Sequence, residues 1–399
     1  MECSGPATVV FDQSLTEYDF GPTHPMNPIR VDLTMRLADE LGVLRGGRLR
    51  TVAAPMADDD LLATVHDPSY IEAVRRAGST LQPDLAHGLG TDDDPVFRNM
   101  HHASAHIVGA SVEACRQVWT GESIHSANII GGLHHAMRAT ASGFCVYNDV
   151  AAGIQWLLDH GAKKVAYVDV DVHHGDGVER IFWDDPRVLT ISVHESGRAL
   201  FPGTGWPSDI GGKGAEGTAV NVALPPGLTD AGWLRAIHAV VPAVVRAFKP
   251  DVLVTQHGCD THAEDPLAHF AVTVDAQRAA ADAFHRLAHD VCEGRWVALG
   301  GGGYEVVDVV PRTWTHLTAI AAHQPIALTE PVPQDWLDHV RQAFGREGPR
   351  RMGDLDPAAG PIWHQPWDMG YNPHDEVDRA IMATRQAVFA LHGLDAWFD

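Results

Sequence analysis

The chain has 399 residues, 45% of them apolar and 20% charged, a balance that can bury a sizeable core. Its 29 basic and 52 acidic residues leave a net charge of −23, which argues against a nucleic-acid backbone or an anionic membrane surface as partner. No uncharged apolar run approaches the ~18 residues of a membrane span, Met1–Asp12 lacks a secretion-signal pattern, and five cysteines without a Cys-x-x-Cys spacing suit a reducing cytoplasm rather than a disulfide framework.

In chain order, Thr8–Phe11 is the first short β-branched run and predicts a strand. Asn27-Pro28 reads as a helix start with proline in the first turn, and Leu33, Leu37, Leu41 and Leu44 follow at helical spacing. Strands are expected at Asn128–Ile130, Val165–Val170, Val188–Val193 and Val220–Leu224. Leu234, Ile237, Val241, Val244 and Phe248 form a helical stripe, kinked by Pro242 and stopped by Pro250. Val252–Thr255 predicts a strand. Phe284, Leu287 and Val291 predict a helix closed by Gly294, and Trp296–Leu299 the last strand. Runs this apolar are buried on both faces, and their alternation with helices predicts an α/β fold with a mostly parallel sheet.

Composition shifts after about residue 325, where Pro325, Pro331, Pro333, Pro349, Pro357, Pro361 and Pro366 punctuate a loop-rich stretch. A final helix is expected from near Pro373, with Val377, Ile381, Val388 and Leu391 on one face. The chain therefore divides into a main domain, 1–325, and an extension, 326–399. The apolar stripe of the extension is satisfied either by packing on the main domain or by a second copy in a homo-oligomer.

Ligands of open α/β sheets sit beyond the carboxyl ends of the strands. Four predicted strands deliver polar groups there: Asn128–Ile130 is followed by His134-His135, Val165–Val168 by Asp169 through Gly177, Val252–Thr255 by Asp260, and Trp296–Leu299 by Gly300–Gly303 and Tyr304. Asp171 and His173 are two apart at a strand end, a spacing that points both side chains one way. With Asp260 they make a three-ligand set that leaves a position open, the pattern of a catalytic Zn²⁺ or Fe²⁺ rather than a closed structural site. Asp169 and Asp176 flank the chelating pair and suit the role of carboxylate partners for His134 and His135. The four glycines lack the Gly-Lys-Ser/Thr ending of a phosphate loop and read as a flexible hinge placing Tyr304 over the metal.

These residues occur in segments whose order and content resemble the histone-deacetylase superfamily, most closely its bacterial acetoin-utilisation branch. The segments are Gly21-Pro-Thr-His24-Pro25-Met-Asn-Pro28, Gly132-Leu-His134-His135-Ala136, Ser142-Gly143-Phe144-Cys145, Asp169 through Gly177, Phe201-Pro-Gly-Thr-Gly205, Gln256-His-Gly-Cys-Asp260 and Gly300 through Tyr304. The resemblance implies a three-layer α/β/α, arginase/deacetylase-like fold with the C-terminal extension outside it. It also implies a zinc-dependent deacetylase of acetyl-lysine, acting on a cytoplasmic metabolic protein such as an acyl-CoA synthetase. Asp171, His173 and Asp260 look like its metal ligands, His135 like the general base held by Asp176, His134 like its partner held by Asp169, and Tyr304 like the carbonyl donor. Phe144 and Phe201 would wall the acyl channel with Gly143 along it, and Asp93 would meet the substrate backbone at the rim. Structural K⁺ is implied at carbonyls of Asp169, Asp171, His173 and Val193 with the Ser192 side chain, and again near Phe182, Asp185 and Val188.

Other readings stay open at this level. Asp92–Asp94 also reads as a solvated acidic loop. Cys145 and Cys259, beside the site, read as small buried hydrophobes or as redox-sensitive thiols. An acetylpolyamine amidohydrolase would use the same chemistry. A two-manganese ureohydrolase would need further bridging aspartates and give Tyr304 no purpose. A silent acetyl-lysine binder would not need the full set of groups.

Overall fold

The computed structural model describes residues 5–399, so the first four residues of the Met1–Asp12 segment lie outside the described residues. Among the described residues, eight strands form one sheet: β1 (Ala7–Val10), β2 (Leu49–Val52), β3 (His125–Asn128), β4 (Val165–Asp169), β5 (Val188–Glu195), β6 (Ala219–Leu224), β7 (Val252–Gln256) and β8 (Trp296–Leu299). Their order is β2-β1-β3-β8-β7-β4-β5-β6, and every pairing is parallel, not merely most. The helices are α1 (Ile29–Glu40), α2 (Asp59–Leu62), α3 (Pro68–Thr80), α4 (Met100–Trp119), α5 (Asp149–Asp159), α6 (Asp176–Ile181), α7 (Asp230–Phe248), α8 (Val274–Val291), α9 (Val310–Ala321), α10 (Gln334–Phe344) and α11 (Glu376–Val388). The layer with α3, α4 and α5 covers one face of the sheet; α1, α7, α8 and α9 cover the other.

Six of the strands coincide with the apolar runs to within a residue or two at each end, because strands covered on both faces must be apolar throughout. The third begins earlier than Asn128–Ile130. His125, Ser126, Ala127 and Asn128 form it, with their polar groups satisfied sideways: Thr8 Oγ1 donates to Ser126 Oγ at 2.8 Å. Ile129 and Ile130 belong to the turn that follows, where the Ile130 N–H donates to Asn128 Oδ1. The edge strand β2 gives no apolar signal because its two central residues, Arg50 and Thr51, are polar and exposed.

Helix α1 stops at Glu40, with Leu41 as its cap, so Leu44 packs from the turn beyond. Pro242 lies within α7, which continues through it to Phe248. By length and composition α7 would suffice for a membrane span. Its Trp233, Ile237, Val241, Val244 and Phe248 are instead buried within the chain.

The extension is more ordered than its prolines suggest. Its Gln334–Phe344 segment is α10, whose fully buried Trp336 donates its indole N–H to the Leu33 carbonyl at 3.0 Å and packs with Leu33, Leu37, Val340 and Met352. The last helix begins at Glu376, where Asp375 caps the Val377 N–H at 2.7 Å. Its Ile381 and Val388 are buried against β6 and α7, so the stripe is covered inside one chain, while Leu391 lies past the helix end and is 51% exposed. Arg235 of α7 fastens this segment: its guanidinium donates to both Asp378 oxygens (2.6 and 2.9 Å) and to the carbonyls of Gln365, Pro366 and Gly370.

Replacing Arg235 leaves the buried Asp378 charge unpaired. Arg235→Ala is expected to cost about 3–5 kcal/mol of unfolding free energy, read by urea denaturation, and to open residues 365–378 to proteolysis first.

Candidate active site

Strands β3, β8, β7 and β4 are scattered in sequence but consecutive in the sheet, so the loops at their carboxyl ends meet at one place. Asp171 and His173 lie beyond the last residue of β4. A tight loop rather than a shared strand face brings them together, with the His173 N–H donating to Asp171 Oδ1 at 3.0 Å. His173 Nδ1 then lies 3.2 Å from Asp171 Oδ1 and 3.1 Å from Asp260 Oδ2. The remaining carboxylate oxygens are held by backbone: Gly302 N–H donates to Asp171 Oδ2 at 2.7 Å and Val172 N–H to Asp260 Oδ1 at 3.0 Å.

All three groups are buried. Burial and the negative Asp171 alongside push Asp260 up to about 7. Burial opposes a charge on His173, yet its hydrogen bonds to Asp171 and Asp260 raise it to about 10. Two acids this close hold a proton between them; one divalent ion would satisfy both and take the ring lone pair. Two carboxylates and an imidazole, with no thiolate, fit Zn²⁺ or Fe²⁺ and leave room for further ligands.

The four-glycine run is not a hinge. A Cβ on Gly302 would lie 2.0 Å from Asp260 Oδ2, and one on Gly258 2.0 Å from Asp171 Oδ2. Both positions need glycine so that backbone can press on the acids. Buried Arg30 locks the run from behind, donating to the carbonyls of Gly301 (2.9 Å) and Gly303 (3.2 Å). Tyr304 follows, its N–H donating to Asp265 Oδ2 at 2.9 Å. Burial and the nearby Asp260 and Asp171 push its phenol well above the ordinary range, so it stays a donor.

His134 and His135 each have a carboxylate on Nδ1: Asp169 at 2.7 Å and Asp176 at 2.7 Å. Their Nε2 atoms face each other at 3.0 Å. Burial disfavours charge on both, but Asp169 and Asp171 overcome it at His134 and raise that ring to about 9. At His135 burial and the His134 charge together prevail over Asp176 and lower it to about 4. One ring is therefore a cation and its neighbour a neutral base, with Nδ1–H directed at Asp176 and the lone pair left on Nε2.

A cavity of about 210 Å³ leads to this floor, lined by Asp93, His135, Gly143, Phe144, His173, Leu200, Phe201, Leu267 and Tyr304. Every channel residue read from the sequence is present, Asp93 included. Leu200 and Leu267 were not legible, being single leucines in irregular loops. Gly143 and Phe144 are both left-handed (φ +55° and +69°), in a turn closed by Ser142 and Cys145. A Cβ on Gly143 would come 2.5 Å from the His135 ring. His24 ties the rim to the wall, with Nε2 3.1 Å from the Asp93 carbonyl and its ring edge-on to Phe144. Asp92 is exposed and Asp94 buried, where burial and Asp93 raise it to about 8.

Cys145 and Cys259 are buried thiols with raised pKa values, donating to the carbonyls of Gly143 and Gly302, which favours packing over reactivity. Of the potassium sets, Asp169 and Ser192 are register partners on β4 and β5, and Ser192 Oγ lies 2.8 Å from His194 Nδ1. The Phe182 and Asp185 carbonyls accept backbone N–H groups from Asp185 and Val188, each keeping a second lone pair.

The histone deacetylase domain family matches residues 24–321. The acetoin utilization protein AcuC of Bacillus subtilis is 40% identical over 311 residues, covering 77% of this chain and 80% of its own. The protein of the same name from Staphylococcus xylosus is 36% identical over 332 residues, covering 82% and 85%. Among solved structures, a histone deacetylase homologue from Aquifex aeolicus superposes with a TM-score of 0.80 at 25% identity, over 95% of this chain and all of its own. A crystal structure of a homologue complexed with SAHA gives the same score at 26% identity, covering 95% and 99%.

Because His173 carries a proton up to about pH 10 without a cation, a metal must displace it. Zn²⁺ affinity at this site is expected to rise with pH, about tenfold per unit for each proton released. Calorimetry between about pH 6 and pH 8 checks this, taking the binding event that Asp260→Asn abolishes; a pH-independent affinity would contradict it.

Proposed function

The chain belongs to the histone deacetylase family, and from that premise we propose that it hydrolyses the acetyl amide of lysine side chains in proteins. The observation that carries this reading is the convergence of a cation-demanding triad, a carboxylate-backed histidine pair and a phenol at the floor of one narrow apolar channel.

Acetyl-lysine is neutral, so Phe144, Phe201, Leu200 and Leu267 suit its stem and exclude water around it, while Gly143 leaves bare backbone alongside. Asp93 at the mouth accepts from the backbone of the substrate. A divalent ion, zinc or ferrous iron, held by Asp171, His173 and Asp260 would supply Lewis acidity toward the acyl carbonyl and the attacking water. His135 takes the proton of that water on Nε2, its Nδ1–H anchored by Asp176. His134, charged and anchored by Asp169, balances the negative charge that develops. The Tyr304 hydroxyl donates to the oxyanion. A protonated histidine then returns a proton to the departing nitrogen; the C–N bond breaks and acetate and a lysine amine leave.

In this reading residues 1–325 are the catalytic domain and 326–399 a strap on it. The Asp169–Val193 and Phe182–Val188 sets would hold potassium, which would steady the loops that carry the ligands. The relatives' names point to acetoin utilisation, and an acetylated cytoplasmic metabolic enzyme, such as an acyl-CoA synthetase, is the substrate class we favour. Asp93 at the mouth and the net charge of −23 also suit an acetylated polyamine.

Acetate release from an acetylated acyl-CoA synthetase, acetyl-lysine peptides and acetylspermidine, with and without chelator, tests the reading. Chelator-sensitive turnover of protein and peptide is expected. Preference for acetylspermidine would replace the substrate, and binding without release would overturn the chemistry. Tyr304→Phe should keep fold and metal yet lose about 10²–10³ in kcat, as for one oxyanion donor; single-turnover rates with metal content measured in parallel check this.

A further inference from the structure

A second group of metal-competent side chains lies at the opposite edge of the sheet. His125 opens β3, at its amino end; His285 and His289 sit one turn apart on α8; His323 follows the end of α9. One ring nitrogen from each of the four falls within 4.8 Å of the others. Three Nε2 atoms form a nearly equilateral triangle: His125 to His289 is 3.2 Å, His285 to His125 is 3.1 Å and His289 to His285 is 3.2 Å.

Protons cannot account for that triangle. A ring nitrogen has one in-plane site, holding either a hydrogen or a lone pair. Each Nε2 here would have to serve two neighbours, so the three contacts cannot all be hydrogen bonds. One cation shared by three lone pairs uses every nitrogen once. The spacing also fits: zinc–nitrogen bonds of about 2.0–2.1 Å arranged tetrahedrally set ligand atoms about 3.3 Å apart.

The surroundings favour neutral rings with free lone pairs. Burial, together with His289, His323 and Arg286, lowers His285 to about 4, and burial lowers His289 and His323. His323 Nε2 is buried with no hydrogen-bond partner. The Gly294 turn lies against the Nδ1 side of His289, where a Cβ would come within 2.7 Å, while its Nε2 faces the triangle. Trp296 packs against His125 and His285 at 5.5 and 5.7 Å between centroids.

We propose that His125, His285 and His289, with His323 as fourth ligand, bind one divalent transition ion of the zinc class, separate from the catalytic centre. The group contains no carboxylate, which disfavours magnesium, calcium and manganese. The ion joins β3, α8 and the end of α9 at the amino edge of the sheet, the position of a structural clasp rather than a reaction centre.

The test uses untagged full-length protein and Zn²⁺ as probe. In Asp171→Asn/Asp260→Asn protein, which lacks both carboxylates of the three-ligand catalytic set, one ion per chain is expected to survive dialysis against metal-free buffer. Adding His285→Asn and His289→Asn should remove it. Co²⁺ bound to the first variant should show the intense visible absorption of a four-coordinate nitrogen site, lost with His289→Gln alone, so the conclusion does not depend on the multiple variant folding. In the otherwise unaltered chain, His285→Asn/His289→Asn should lose one ion and keep its deacetylase turnover, which separates failure here from failure of the proposed function. No retained ion in the first variant, or an ion that persists after the histidines are replaced, overturns the proposal.

Discussion

Two carboxylates, Asp171 and Asp260, are buried within hydrogen-bonding reach of one imidazole, and the centre of the molecule is shaped by that charge. Like charges this close in a low-dielectric interior are costly unless a cation or proton joins them. Backbone is brought hard against them to help: Gly302 and Val172 donate N–H groups to the outward oxygens, and glycine at 258 and 302 makes that approach feasible. Arg30, buried beneath the Gly301 and Gly303 carbonyls and stacked on Trp314 at 5.0 Å, fixes the loop from the far side. The parallel sheet contributes the position, since four adjacent strands end at the same level.

The adjoining histidines show how environment divides one residue type into two roles. His134 and His135 are sequence neighbours with equivalent carboxylate bonds of 2.7 Å. Burial acts on both, and only the sum of nearby charge differs. His134 sees Asp169 and Asp171; His135 sees the His134 cation. A base and a cation 3.0 Å apart follow from that asymmetry. The channel above adds exclusion of water, which strengthens each of these interactions.

Most of this was legible in the sequence because chemistry was written next to strand ends. Val165–Val170 and the polar residues after it, Asp260 after Val252–Thr255, and Tyr304 after Trp296–Leu299 all read as strand followed by site. What escaped was set by tertiary contact. The β3 strand is polar, satisfied by Thr8 and its neighbours, so the strand signal falls on the apolar Ile129 and Ile130 that follow it. Helix α10 hid among prolines because its Trp336 and Val340 have meaning only against Leu33 and Leu37 of α1. Gly300–Gly303 suggests flexibility, whereas the run packs directly against Asp171, Asp260 and Ile129. Leu200, Leu267 and Arg30 carry no motif, and only folding brings them to the channel or the glycine loop.

The histidine tetrad and the acid–imidazole triad lie at opposite ends of the same strands, and their donors differ: all nitrogen at one, mostly carboxylate at the other. The triad is the more decisive, since the proposed chemistry has no other place to begin. An anomalous-scattering map from crystals grown with Zn²⁺ addresses it directly. The account predicts a peak about 2.0–2.2 Å from His173 Nδ1 and from one oxygen each of Asp171 and Asp260. No peak at the triad, a bridged pair of ions there, or these three side chains splayed apart would contradict it.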